Sequence, residues 1–304
     1  MGLKIVSIKS SFPHQSENLN SEKYKKIIQA TGINKRYLSS EKENVINLSI
    51  KSAKKILNSK LKNKISFLLF VSQTSPFKFP SVSCILQNEL KLPKDIYAVD
   101  INMGCSGFIY ALKLASSLEK LDNKRKYGLI ICSDTYTKYI KKDNKSCEPI
   151  FSDASTTTLL KISKKNQFQA FDFGVDGSGY QSLLLKENSN NMFMDGAKIA
   201  IFTIKEIPQF INKFLLRCKL GSKNIKYIAL HQASKYVCDK IKKKLNFGNN
   251  YFLENYNKYG NTVSSTIPLL LKDCIDKKKL KKNNIIIACG FGVGLSWGIV
   301  KIKW

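Results

Sequence analysis

The chain has 304 residues, long enough for one large domain or two fused halves around a sizeable core. Its 43% hydrophobic and 24% charged content is that of a globular protein, and no apolar run approaches the roughly 20 residues that span a bilayer. The formal charge of +29 is high, but the lysines are dispersed along helix-like faces without interleaved aromatics. That argues against a nucleic-acid module and leaves at most a minority of them for an acidic partner.

Lys4 and Lys9 break the first apolar stretch, so no secretory leader is expected; Val6 spoils a myristoylation pattern, and a cytoplasmic protein follows. In chain order, the apolar runs predict strands near 3–9, 65–72, 96–101, 127–133, 156–162, 168–174, 225–231, 250–254, 284–290 and 294–302. Amphipathic runs predict helices at 22–30, 45–59, 80–91, 106–120, 204–219, 234–245 and 262–275. The alternation is that of an α/β protein.

A faint internal repeat runs through this order. Ile65-Ser-Phe-Leu-Leu-Phe-Val-Ser-Gln73 leads into a helix as Ile225-Lys-Tyr-Ile-Ala-Leu-His-Gln232 does, at an offset of 159. Tyr127-Gly-Leu-Ile-Ile-Cys132 is similar to Asn284-Ile-Ile-Ile-Ala-Cys289, at an offset of 157. Two duplicated halves are therefore expected, 1–165 and 166–304.

Four segments carry candidate chemistry. Asp100-Ile-Asn-Met-Gly-Cys-Ser-Gly-Phe108 places Cys105 between a strand and a helix, where glycines permit a tight turn and the helix N-terminus favours a thiolate. His231 closes a strand in Leu230-His-Gln-Ala-Ser234 and reads either as a satisfied core histidine or as a residue that shuttles a proton or donates a hydrogen bond. The chain's other histidine, His14, sits in a polar N-terminal loop. Asn261, after Gly260, reads either as a helix cap or as a neutral amide suited to hold a carbonyl or enolate oxygen. Gly290-Phe-Gly-Val-Gly294 has glycines at alternate positions, which let the backbone pass close to a substrate. The eight cysteines form no C-x-x-C pair, and with two histidines there is no zinc pattern; most read as core filler.

Taken together, these segments resemble the beta-ketoacyl-acyl-carrier-protein synthase III family of the thiolase superfamily. Thr31-Gly-Ile-Asn-Lys-Arg-Tyr37, Phe79-Pro-Ser81, Phe151-Ser-Asp-Ala-Ser155, Met194-Asp-Gly196, His231-Gln-Ala and Gly260-Asn-Thr all match its motifs, in order, over nearly the whole chain. The resemblance implies a thiolase-like fold of two halves in α-β-α-β-α layers, Cys105 in the first and His231 and Asn261 in the second. It implies that Cys105 takes the acyl group of a CoA or carrier-protein thioester and that the N–H groups of Cys105 and Val293 hold the oxyanion. His231 and Asn261 would steady the enolate left when a malonyl-type extender loses CO2. It further implies no bound cofactor or metal, an acidic acyl carrier protein docking on a basic patch, and a homodimer with Phe79 near the end of the acyl pocket.

The chain departs from the family in two places. The tryptophan that stacks on the adenine of coenzyme A has no counterpart in Glu22-Lys-Tyr-Lys-Lys-Ile-Ile-Gln-Ala30, and the Phe151–Ser155 loop is poorer in glycine. Both point to a divergent member with an unsettled acyl donor. The nearest alternative is an acyltransferase of the same fold that passes the acyl group to an alcohol or amine. A papain-like protease shares the order Cys, His, Asn but lacks the surrounding segment, and a basic nucleic-acid-binding protein is the remaining alternative.

Overall fold

The most apolar runs of the two halves build two separate sheets. The computed structural model describes residues 2–19, 24–121, 124–141, 144, 146–187, 189 and 191–304. In the first sheet the strands lie in the order Gly2–Ser11, Ala154–Ser163, Tyr127–Asp134, Ile65–Val71, Tyr97–Ile101. Ile65–Val71 is buried along its whole length, as an interior strand covered on both faces must be. In the second sheet the order is Phe168–Val175, Ser296–Lys303, Ile285–Gly292, Tyr227–Leu230.

The two sheets share a pairing pattern. Ile65–Val71 runs parallel to Tyr127–Asp134, as Tyr227–Leu230 does to Ile285–Gly292, and two antiparallel neighbours follow in each case. These strands are the ones that carry the sequence repeat. The repeat is incomplete: the expected strand at 250–254 is a single turn at Asn249–Tyr251 followed by one bridge, Ile228 to Phe252. Its apolar run, Tyr251-Phe-Leu253, is too short to hold a ladder after Gly248-Asn-Asn250 has turned.

Helices Gly107–Ser117 and Thr266–Asp276 lie between the sheets, their apolar faces (Phe108, Leu112, Ile267, Leu271) packed into one core with both. Val45–Lys54 and Val82–Glu89 cover the outer face of the first sheet through Val45, Ala53, Val82 and Leu86. Gly196–Arg217 and Lys235–Leu245 cover the second through Ile207, Phe214, Ile241 and Leu245. The result is five layers, α-β-α-β-α.

Other boundaries moved. The helix expected over 45–59 stops at Lys54, and the Asn58 side chain then accepts the Leu61 N–H to start a separate turn at Ser59–Lys62. The helix expected from 204 begins at Gly196, with Asp195 accepting the Lys198 N–H as its cap. The one expected at 22–30 is seen as Lys25–Thr31; residues 22 and 23 lie outside the described residues. An antiparallel pairing of Gln15–Asn18 with Lys35–Leu38 was not expected, because its polar residues show no apolar alternation.

Candidate active site

The ends of these elements meet at an apolar cavity of about 490 Å³, lined by Cys105, His231, Asn261 and Val293 among others. Cys105 stands between the strand Tyr97–Ile101 and the helix Gly107–Ser117, and is only 6% exposed. The glycines of the C-terminal loop bring the backbone against the nucleophile itself. A Cβ on Gly292 would lie 3.0 Å from Cys105 Sγ, and one on Gly290 would lie 2.7 Å from the Cys105 carbonyl oxygen. Gly292→Ala is therefore expected to cost about 1–3 kcal/mol of stability by overpacking. It should also slow acylation of Cys105, as thermal melts and intact-mass time courses will show.

His231 ends the strand Tyr227–Leu230, and its N–H donates to the Cys289 carbonyl at 2.9 Å. The ring meets Phe291 edge-on with centroids 5.4 Å apart, and Nδ1 lies 2.7 Å from Thr266 Oγ1. Asn261 is fixed by two backbone bonds to the Ile150–Ser152 segment: its N–H donates to Ile150 O and its carbonyl accepts from Ser152 N–H, both at 3.0 Å. The Val263 N–H donates to Asn261 Oδ1 at 3.0 Å, which leaves the Asn261 NH₂ as the donor facing the cavity. To reach that position Val263 takes φ +53°, a left-handed conformation that costs a β-branched residue about 1–3 kcal/mol.

Among the described residues, the N–H groups of Cys105 and Val293 donate to no backbone carbonyl. The loop around Val293 is held by Ser296, whose hydroxyl donates to the Val293 carbonyl at 2.8 Å and meets Ser106 Oγ at 2.8 Å.

Burial pushes the Cys105 thiol up, the nearby Asp134 charge adds to this, and the residue's own N–H pulls the other way. The free enzyme therefore holds a neutral thiol. Burial lowers His231 to about 3, so it is a neutral imidazole at physiological pH. The unfolded chain binds this proton near pH 6.5 and the folded chain only near 3. The His231 contribution to stability is thus complete above 6.5 and is lost as pH falls from 6.5 toward 3. Melting curves from about pH 7.5 to about pH 4 should fall more steeply for the wild type than for His231→Gln.

Several residues at the site escaped the sequence reading. Asp134 is fully buried, its two carboxylate oxygens accepting the Gln73 N–H at 2.9 Å and the Ser264 N–H at 3.3 Å. It ties the first sheet to the loop that carries Asn261. Burial raises it to about 6, against the pull of those N–H groups. The run of hydroxyl residues from Ser264 to Thr266 at a buried helix start was the signal for this linkage. Arg36 of the Thr31-Gly-Ile motif is an anchor: it is buried and its Nε donates to Glu17 at 2.8 Å. In the Phe151–Ser155 motif, Ser152 Oγ accepts the Tyr37 N–H at 2.8 Å and Asp153 accepts the N–H groups of Ser39 and Thr137. Phe79 is 83% exposed and is not among the described residues that line this chain's cavity.

Two matching sheets around a cavity that holds a cysteine, a histidine and an amide define a thiolase-fold acyl-transferring enzyme. Family models for 3-oxoacyl-[acyl-carrier-protein] synthase III match residues 99–177, and for its C-terminal region residues 215–304. A beta-ketoacyl-[acyl-carrier-protein] synthase III of Streptococcus agalactiae is 32% identical over 292 residues, 91% of this chain and 90% of that protein. One from Clostridium perfringens is 33% identical over 289 residues, 90% and 88% of the two chains. The solved 3-oxoacyl-(acyl-carrier-protein) synthase of Burkholderia xenovorans superposes with a TM-score of 0.92 at 26% identity, covering all of this chain and 94% of that one. The chain belongs to the beta-ketoacyl-[acyl-carrier-protein] synthase III family.

Proposed function

We propose that this enzyme catalyses a decarboxylative Claisen condensation in two stages. Cys105 sulfur attacks an acyl thioester; the donor thiol leaves with the cysteine proton, and the acyl group stays on sulfur. A malonyl-type thioester then enters the cavity. Its carboxylate leaves as CO₂, and the electron pair left behind forms an enolate whose oxygen takes hydrogen bonds from His231 and Asn261. The enolate carbon attacks the acyl carbonyl, the N–H groups of Cys105 and Val293 hold the resulting oxyanion, and collapse releases the beta-ketoacyl product and expels Cys105 as a thiolate, which takes up one proton from solvent.

The observation that carries this reading is the pairing of a buried thiol with two neutral donors on one apolar cavity. Neutral donors suit a charge that develops only during reaction, whereas a cationic partner would bind the ground-state carboxylate and hold it back. Incubation with acyl thioesters and malonyl-carrier protein should release CO₂ with the beta-ketoacyl product. Acyl transfer to an alcohol or amine without CO₂ would overturn the reading in favour of simple transfer.

In this reading the acidic carrier protein docks on the helix Lys235–Leu245, whose Tyr236 and Val237 line the cavity while Lys235, Lys240, Lys243 and Lys244 are exposed. Lys243→Glu with Lys244→Glu should raise KM for malonyl-carrier protein about 10-fold at low salt, with kcat little changed. Steady-state kinetics across a salt series measures this. Phe79, exposed and off the chain's own cavity, belongs in this reading at the contact of a homodimer.

A further inference from the structure

We infer that Thr266 is a positioning residue that holds His231 in the tautomer with its proton on Nε2. The inference rests on the condensing function proposed above. A neutral imidazole donates from one nitrogen and accepts at the other, and the partner of the first nitrogen decides which form is present. Among the described residues, Nδ1 of His231 has one hydrogen-bond partner, Thr266 Oγ1 at 2.7 Å, in a fully buried setting. Nε2 has none and His231 lines the cavity. A backbone carbonyl at Nδ1, which only accepts, would force the proton onto Nδ1 and turn a lone pair toward the substrate. A hydroxyl can instead donate.

The Thr266 hydroxyl has one proton and two acceptors in reach, His231 Nδ1 at 2.7 Å and the Val263 carbonyl at 3.0 Å. That carbonyl already accepts the Thr266 backbone N–H, so it is satisfied without the hydroxyl. Nδ1 has no other donor among the described residues, and it is the shorter contact. The hydroxyl proton therefore goes to Nδ1, and Nε2–H faces the cavity as a donor. The same turn orients the other donor, since the Val263 N–H occupies Asn261 Oδ1 and leaves the Asn261 NH₂ exposed to the substrate. One strained turn, from Asn261 to Thr266, thus polarises both side chains toward the enolate oxygen.

The chain's two histidines make this directly measurable. In protein labelled with [¹⁵N]histidine, long-range ¹H–¹⁵N correlations should show His231 with unprotonated Nδ1 and protonated Nε2; His14→Gln identifies the other ring. A protonated Nδ1 in the wild type would overturn the inference, whatever the variants do. In Thr266→Val the tautomer preference should be lost and condensation should fall about 10- to 100-fold, while acylation of Cys105 changes by less than about 3-fold. Thr266→Ser should restore the tautomer and most of the rate. An equal fall in acylation and condensation would mean that Thr266 merely supports the fold. Should no CO₂ ever be released, the condensing function fails, while the tautomer stands or falls on the spectrum alone.

Discussion

Cys105→Ala is expected to abolish the acyl adduct and lower condensation by roughly 10⁴-fold or more. Among the described cysteines, Cys105 is the one that lines the cavity; Cys132, Cys238 and Cys289 are sealed in the core, and Cys84 is exposed away from it. No neighbour can take over the sulfur's role. The fold should survive the change, because alanine keeps the Cβ against which Gly292 packs and adds no volume. Intact-mass analysis after exposure to acyl-CoAs and acyl-carrier proteins reads the result, with melting temperature as the control. An adduct that persisted in the variant would remove Cys105 from its role.

Asn261→Asp should lower condensation by about 10³-fold while leaving acylation within a few-fold of wild type. The substitution is isosteric, and one carboxylate oxygen can still accept the Val263 N–H. The other then turns a lone pair and a negative charge toward the enolate oxygen where the amide donated a proton. In this apolar cavity burial will raise the new carboxyl's pKa above the usual carboxylate range. Protonation of the introduced carboxyl restores a donor, so the variant's rate should climb as pH falls, which a pH–rate profile will reveal. Loss of acylation and condensation in equal measure would place Asn261 in the architecture alone.

The three residues at the centre were legible in the sequence for a definite reason. Cys105 and His231 sit where an apolar run ends before a helix and Asn261 follows a glycine, which made each a candidate; the resemblance to the family singled out the three, and they line one cavity. The repeat that pairs Ile65–Val71 with Tyr227–Leu230 was legible because both are strands enclosed in sheets, whose apolar runs leave little freedom. What could not be read was the support. Thr266 and Ser264 look like ordinary helix-start hydroxyls until the fold brings His231 and Asp134 to them. The burial and the Asp134 charge that raise the Cys105 pKa likewise come from elsewhere in the chain and leave no mark in the local sequence. The C-terminal glycine loop runs along the cavity, as expected, and also lies against Cys105.

The central claim is that one cysteine carries an acyl group which a decarboxylated extender then removes. It is tested most directly by isolating the acyl-enzyme, adding malonyl-carrier protein labelled in its free carboxyl group, and following adduct mass, labelled CO₂ and product together. The account predicts one CO₂ and one beta-ketoacyl product for each acyl group lost from Cys105. Loss of the acyl group to an alcohol or amine with no labelled CO₂ would contradict it.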